Sequence, residues 1–291
     1  MASIDAATLF KVDGLVAVIT GGATGIGLMM AKALEANGAA KVYVVGRRKD
    51  KLEEAANQAK HGNIIPIQGD VSSKESLEQI ADQVRSEVGY VNLLIANSGI
   101  SGPQISSVPK DASLSDFKKH AWNTPMEEFT NTYAVNSTGV WYTVLAFLEL
   151  LDAGNKKGNM GEVKSQVIAT SSIGGYNRMS AAGIAYNTSK AATTHMIKQM
   201  ATLMVPHSIR FNALAPGLFP SELAAPLLKL ANGDMTKEGA FEKSFIPAGR
   251  TGSEEDMAGT ILYLASRAGA YLNGTIVVID GGRLSLLPAT Y

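Results

Sequence analysis

The sequence predicts an α/β protein whose parallel sheet of about seven strands is wound on both sides by helices. Three observations lead there. Short β-branched runs alternate with helical patterns almost from end to end. The runs are apolar at nearly every position, as in strands covered on both faces. A glycine-rich turn directly follows the first run and opens an amphipathic helix, a strand–turn–helix unit of the doubly wound kind. No low-complexity linker or internal repeat divides the chain, so residues 1–291 are expected to form a single domain.

Taken in order, "VAVIT" (16–20) is the first expected strand and 26–37 the helix after it. "KVYVVG" (41–46), "NIIPIQ" (63–68) and "NLLIAN" (92–97) are the next three strands, with a helix over 73–88 before the last of them. Residues 101–125 form a long polar insertion, followed by a helix over 126–151 and a glycine- and lysine-rich turn inserted at 152–165. "QVIATS" (166–171), a helix over 185–204 and "IRFNALA" (209–215) continue the alternation, and "TIVVID" (275–280) closes it. Between the last two strands, 218–246 is apolar and punctuated by proline. Open α/β sheets build their crevice at the carboxyl ends of strands, which makes 101–125 and 218–246 lid candidates. The 152–165 turn follows a helix and belongs on the opposite rim.

Composition excludes several classes of function. Lysine plus arginine and aspartate plus glutamate number 26 each, so no strong field draws the chain to nucleic acid or an anionic membrane. Without cysteine there is no disulfide framework, thiol nucleophile or thiolate metal site. The four histidines, at 61, 120, 195 and 207, do not approach metal-ligand spacing, and no metal is expected. "MASIDAATLFKVDG" lacks the basic start and apolar core of a signal peptide, and "GVWYTVLAFL" falls short of the ~20 residues that span a bilayer. A soluble, cytoplasmic protein is expected.

The turn "TGGATGIG" (20–27) carries the first chemistry. Gly21, Gly25 and Gly27 let the backbone turn tightly and approach a pyrophosphate resting on the free N–H groups of the helix. An acid about twenty residues further on commonly binds the ribose 2′-OH of NAD. Here Gly46 stands in that place and Arg47 and Arg48 follow. Without the carboxylate nothing repels a 2′-phosphate, and a guanidinium binds one bidentately, which favours NADP(H). The competing reading is two solvated arginines. Asp70 and Val71, after the third strand, stand where an adenine edge is held.

In "AYNTSK" (185–190), Tyr186 and Lys190 are one helical turn apart, about 40° around the axis. Such a pair is often just a phenol packed on a lysine stem. The alternative reading is an acid whose pKa the cation lowers. Tyr176 is no rival, because residue 180 is serine and offers no cation. Of the two adjacent hydroxyls, Ser172 immediately precedes the apolar–Gly–Gly turn, and Ser171 competes for any role at the strand end.

On these motifs the chain resembles the compact branch of the short-chain dehydrogenase/reductase family. "TGGATGIG" matches its TGxxxGxG fingerprint, "GDV" (69–71) its adenine-site aspartate and "NSG" (97–99) its NAG motif. Asn136, Ser172, "YNTSK" (186–190), "APG" (215–217) and "DGG" (280–282) match the rest, so that eight motifs run in order from about residue 14 to 283. The resemblance implies a Rossmann-like fold and NADP(H) held by Gly21, Thr24, Gly25, Ile26, Gly27, Arg47, Arg48, Asp70, Val71, Asn97, Gly99, Tyr186, Lys190, Pro216, Gly217 and Ser221. It implies a catalytic set in which Tyr186 is the acid, Ser172 bonds the substrate oxygen, Lys190 also binds the nicotinamide ribose and Asn136 holds a relay water. Ser98 replaces the usual alanine, Ser221 stands where threonine is common, and 101–125 is longer than the compact branch needs.

The expected activity is reduction of a small-molecule carbonyl to an alcohol. Reductases of β-ketoacyl thioesters and polyketide-type aromatic ketones are both similar to this chain. The alternatives are a non-redox step, such as dehydration or epimerisation, or a cofactor-binding sensor. Tyr176, Met179, Leu218, Phe219, Pro220, Leu227 and Leu228 are the expected apolar surroundings of the substrate. The helix at 126–151, with Val140, Trp141, Val144, Leu145, Leu148 and Leu151, predicts a homo-oligomer, a dimer or tetramer.

Overall fold

A computed structural model of the chain describes residues 4–104, 108, 111–179 and 182–291, without the side chains of Pro226 and Leu228. Its strands are Val16–Thr20 (β1), Lys41–Gly46 (β2), Ile64–Gln68 (β3), Leu93–Ala96 (β4), Gln166–Thr170 (β5), Arg210–Pro216 (β6) and Ile276–Ile279 (β7). Every pairing is parallel, in the order β3-β2-β1-β4-β5-β6-β7. Strand order therefore reverses between β1 and β4, the switch point at which open sheets bind ligands.

The helices are Ala6–Leu9 (α1), Gly25–Ala36 (α2), Lys49–Ala56 (α3), Lys74–Glu87 (α4), Leu114–Trp122 (α5), Met126–Tyr133 (α6), Gly139–Lys157 (α7), Ile184–Leu203 (α8), Ala225–Leu228 (α9) and Glu254–Ala265 (α10). Local chemistry sets several of their starts. Ser73 accepts from Ser76 N at 3.1 Å to cap α4, and Ser253 and Asp256 cap α10 reciprocally.

Alternation along β1 divides the core into two layers. Val16 and Val18 face α4, α7 and α8 through Leu77, Ile80, Val144, Phe147 and Ile197. Ala17 and Ile19 face α2, α3 and α10 through Met30, Leu34, Leu52, Met257 and Ile261. Strands between two helical layers must be apolar on both sides, and β1, β4, β5 and β6 are buried throughout. The edge strand β7 is half-exposed at every position, contrary to that pattern, because it has a sheet neighbour on one side only.

Three further boundaries differ from the sequence reading. The helix expected over 126–151 is interrupted by a π-helical turn, Ala134–Thr138, and continues to Lys157. It therefore absorbs the first six positions of the 152–165 turn and stops at Gly158, which takes the left-handed φ of 68°. The run 126–157 has the length and apolarity of a membrane span, but Val144, Phe147, Leu150 and Leu151 are spent on the core. The 101–125 insertion is not simply polar loop. It contains α5, capped by Ser113, which accepts from Asp116 N at 3.1 Å. Residues 105–107, 109 and 110 of that insertion lie outside the described residues.

Candidate active site

The phosphate turn is held from behind by Asn97, at the end of β4. Asn97 Nδ2 donates to Thr20 O at 3.1 Å and Gly21 O at 3.0 Å, and its Oδ1 accepts from Thr170 Oγ1 at 3.0 Å. One amide thus ties β1, the turn and β5 together, and its side chain is fully committed to that clamp. Gly25 takes a left-handed φ of 54°, and a Cβ on Gly27 would collide with the Gly21 carbonyl oxygen. Thr24 precedes the first turn of α2 with no side-chain cap bond, and Gly25, Ile26 and Gly27 form that turn. Their N–H groups, the first of α2, have no intrahelical partner, and the helix starts just beyond the carboxyl end of β1.

At the far end of β2, the two arginines part company. Arg47 lies close enough to Asp70 to act on its charge. Burial would push the Asp70 carboxyl up, but hydrogen bonds from Ser72 and the Arg47 charge leave it below its usual value. Asp70 Oδ1 accepts from Ser72 N at 2.9 Å and Ser72 Oγ at 2.7 Å, which fixes the turn carrying Val71. Arg48 instead makes a bidentate pair with Glu222, 3.0 Å for each bond.

The other end of the crevice is built by α8 and the end of β5. Tyr186 and Lys190 both point inward and are buried, at 8% and 4% exposure. Ser172 Oγ and the Tyr186 ring border the same glycine: a Cβ on Gly174 would come within 3.2 Å of each. Ser172 Oγ accepts from Gly174 N at 3.0 Å, which orients it at the loop entrance. Ser171 turns the opposite way, with Oγ 3.0 Å from Lys190 O and 2.6 Å from Thr194 Oγ1. It anchors the strand to α8 and leaves Ser172 as the hydroxyl beside the phenol.

Lys190 Nζ donates to Thr170 O at 2.7 Å and lies 5.9 Å from the Tyr186 ring centroid. It is also beside Gly99, where a Cβ would come within 3.3 Å of both Lys190 Nζ and Asn136 Oδ1. Burial pushes the Lys190 ammonium down to about 8. Burial pushes the Tyr186 phenol up, opposed by the nearby Ser172 hydroxyl. The expected lowering of the phenol by Lys190 is therefore corrected in this state of the chain. The ammonium is turned to a main-chain carbonyl, and desolvation dominates both groups.

Asn136 occupies the π-helical turn and is fully buried. Its Oδ1 accepts from Ile100 N at 2.9 Å, while Nδ2 donates to Ile100 O at 3.0 Å and Ser189 Oγ at 3.1 Å. The side chain thus latches the loop after β4 to α8 and positions Gly99 against Lys190.

The segment after β6 completes the crevice. Gly217 N donates to Ile279 O at 2.9 Å beyond Pro216, and Ser221 is packed so that a Cβ on Gly25 would lie 3.0 Å from Ser221 Cβ. Leu218 and Phe219 are buried, Phe219 against Gly252 and the α2/α10 layer, which removes Phe219 from the expected substrate lining. Met179 and Leu227 are exposed, whereas Tyr176 packs edge-on against Tyr291 at 5.0 Å. Leu228's side chain and residue 180 lie outside the described residues. Thr170, Glu222 and Asn187 were not legible as site residues. Thr170 acts largely through its carbonyl, Asn187 by donating to Met179 O at 3.0 Å, and Glu222 is 174 positions from its arginine.

The sequence profile described as enoyl-(acyl carrier protein) reductase matches residues 21–283. A short-chain dehydrogenase/reductase of Diaporthe leptostromiformis, PhomF, is 53% identical over 290 residues, covering 99% of this chain and 98% of the relative. The chain belongs to the short-chain dehydrogenase/reductase family. Another relative, the rhamnolipid-biosynthesis 3-oxoacyl-[acyl-carrier-protein] reductase of Pseudomonas aeruginosa, is 30% identical over 94% of this chain and 97% of its own length. Among solved structures, the Pseudomonas aeruginosa RhlG/NADP active-site complex superposes with a TM-score of 0.78 at 28% identity, covering 95% of this chain and 98% of that one. As a short-chain dehydrogenase/reductase, the protein is an oxidoreductase that binds a nicotinamide cofactor. The cradle fits that group: left-handed backbone at Gly25, no room for a side chain at Gly27, and a helix N-terminus that follows β1 at the switch point.

Proposed function

We propose that this oxidoreductase reduces an apolar ketone or 3-oxoacyl group with NADPH. The observation that carries the reading is one buried cluster in which Ser172 and Tyr186 meet at Gly174 and Lys190 lies between Tyr186 and Gly99. Reduction leaves negative charge on the substrate oxygen, and donors placed there stabilise it. Ser172 and Tyr186 are the two hydroxyls in position. Burial keeps the phenol protonated at neutral pH, the form required to deliver a proton to that oxygen. The bound reduced nicotinamide supplies the hydride to the carbonyl carbon. Lys190 would hold the nicotinamide ribose, and Asn136 the geometry of the loop against which it lies. Pro216, Gly217 and Ser221 lie at and after the carboxyl end of β6, with Ser221 against Gly25 of the phosphate turn.

The preference for NADP(H) rests on Gly46, which offers no carboxylate to a ribose, and on Arg47 and Arg48 beside it. The NADP bound to RhlG and the 3-oxoacyl activity named for the Pseudomonas relative agree with this reading. NADPH should exceed NADH in kcat/KM by more than about tenfold, and replacing both Arg47 and Arg48 by alanine should remove most of that preference. Equal use of both cofactors by the unmutated protein would refute it. The substrate is a free small molecule or a carrier-bound acyl chain, and a panel of ketones and 3-oxoacyl thioesters distinguishes them.

A further inference from the structure

Arg48 and Glu222 meet from far apart in the sheet. Arg48 follows β2 and Glu222 follows β6, with β1, β4 and β5 between those strands. Four strand spacings are roughly 19 Å, so the segment after β6 must cross the switch point to make the pair. Ser221, one residue earlier, lies against Gly25 of the phosphate turn. The strap thus runs over the groove in which a dinucleotide is expected, and its bidentate bond grips an arginine at the ribose end.

We propose that Glu222 is a determinant of cofactor selection, serving as an internal stand-in for the 2′-phosphate that Arg48 binds. This rests on the NADP(H) reading above. A carboxylate and a phosphate both present paired oxygens to the guanidinium fork. Glu222 occupies the end-on face of the fork, Nη1 and Nη2, with both oxygens at 3.0 Å. The side chains of the pair are half or more exposed, 50% for Arg48 and 63% for Glu222, so the contact is weak enough to exchange. A phosphate brings the larger charge and displaces the carboxylate. NADH carries no group at that position and leaves the pair intact. Glu222 therefore competes against the phosphorylated cofactor alone, and NADPH binding releases the strap from the ribose end of the groove. Arg47 remains near Asp70, outside this exchange.

Fluorescence titration with NADPH and NADH, on the unmutated protein, Glu222→Gln, Arg48→Ala and the double variant, tests the idea. Glu222→Gln keeps the shape and exposure of the side chain and removes its charge. It should tighten NADPH binding by about twofold to fivefold, the range of an exposed ion pair, and leave NADH binding unchanged. In the Arg48→Ala background the same substitution should change neither cofactor, since the competition needs the arginine. An unchanged NADPH affinity in Glu222→Gln, an equal gain for both cofactors, or a gain that persists without Arg48 would overturn the proposal. Failure of the NADP(H) reading has a different signature: equal binding of both cofactors by the unmutated protein and no loss of NADPH affinity in Arg48→Ala.

Discussion

Tyr186 and Lys190 are buried together on α8, and desolvation moves their proton affinities apart, the phenol up and the ammonium down. Tyr186→Phe removes the acid but keeps the ring that packs the site. Turnover should fall by about 10²–10⁴-fold while NADPH affinity, followed by fluorescence, stays near its original value. Near-native turnover would end the assignment of Tyr186. Lys190 gives a second prediction, in stability. Its folded-state value of about 8 lies below the ordinary lysine value of 10.5, so between those pH values the unfolded chain holds a proton that the folded chain has lost. Stability from this group accordingly rises as pH climbs from about 8 to 10.5, because the unfolded state binds more protons there. Chemical denaturation across that window should show the rise in the unmutated protein relative to Lys190→Met. A constant difference between the two would refute the burial effect. At Asn97, alanine would leave the Thr20 and Gly21 carbonyls and the Thr170 hydroxyl without their partner. The expected loss is about 1–3 kcal/mol in denaturant unfolding, together with weaker NADPH binding.

Between elements, the segment after β6 is the part of the crevice with the least regular structure. Apart from α9 it has only turns, and Leu218, Ala224, Ala240, Phe241 and Ile246 form a small core of their own. A segment packed chiefly on itself moves more readily than one built into the sheet. Limited proteolysis should cut within 231–240 in the free protein and be suppressed by NADPH plus substrate, and equal cleavage in both states would favour a static cover. The strands and the helices at 26–37, 73–88 and 185–204 were legible because their signals are local: β-branched runs, helical periodicity, a cap or a glycine. The proposed catalytic pair was legible for the same reason, since one helical turn fixes Tyr186 against Lys190. The π-helical turn was not, because 134–138 holds no proline and its geometry goes with distant partners, Ile100 for Asn136 and Ser189 and Thr193 for Ser137. Phe219 misled for a related reason. An apolar residue beside a binding edge has the same composition whether it faces ligand or core, and only Gly252 and the α10 layer decide.

At the scale of the whole molecule, one sheet edge and one helical face bear on assembly. Val140, Val144 and Leu151 belong to the core, while Trp141 and Leu148 are partly covered and Leu145 is exposed. The face available to a second copy is thus narrower than the sequence suggests, and β7 offers a half-covered edge. A homo-oligomer, dimer or tetramer, is the expected state, and light scattering at micromolar concentration that gave only the 30.6 kDa monomer would contradict it. All these features serve a single proposed reaction, in which the chain gives a proton to an oxygen while the cofactor is oxidised. The most direct test is the stoichiometry of that reaction: NADPH consumed against alcohol formed across a panel of ketones and 3-oxoacyl thioesters. The account predicts one NADPH oxidised per alcohol for at least one apolar substrate, with Tyr186→Phe silent on it. Product formed without NADPH loss, or cofactor binding with no turnover of any member of the panel, would contradict it.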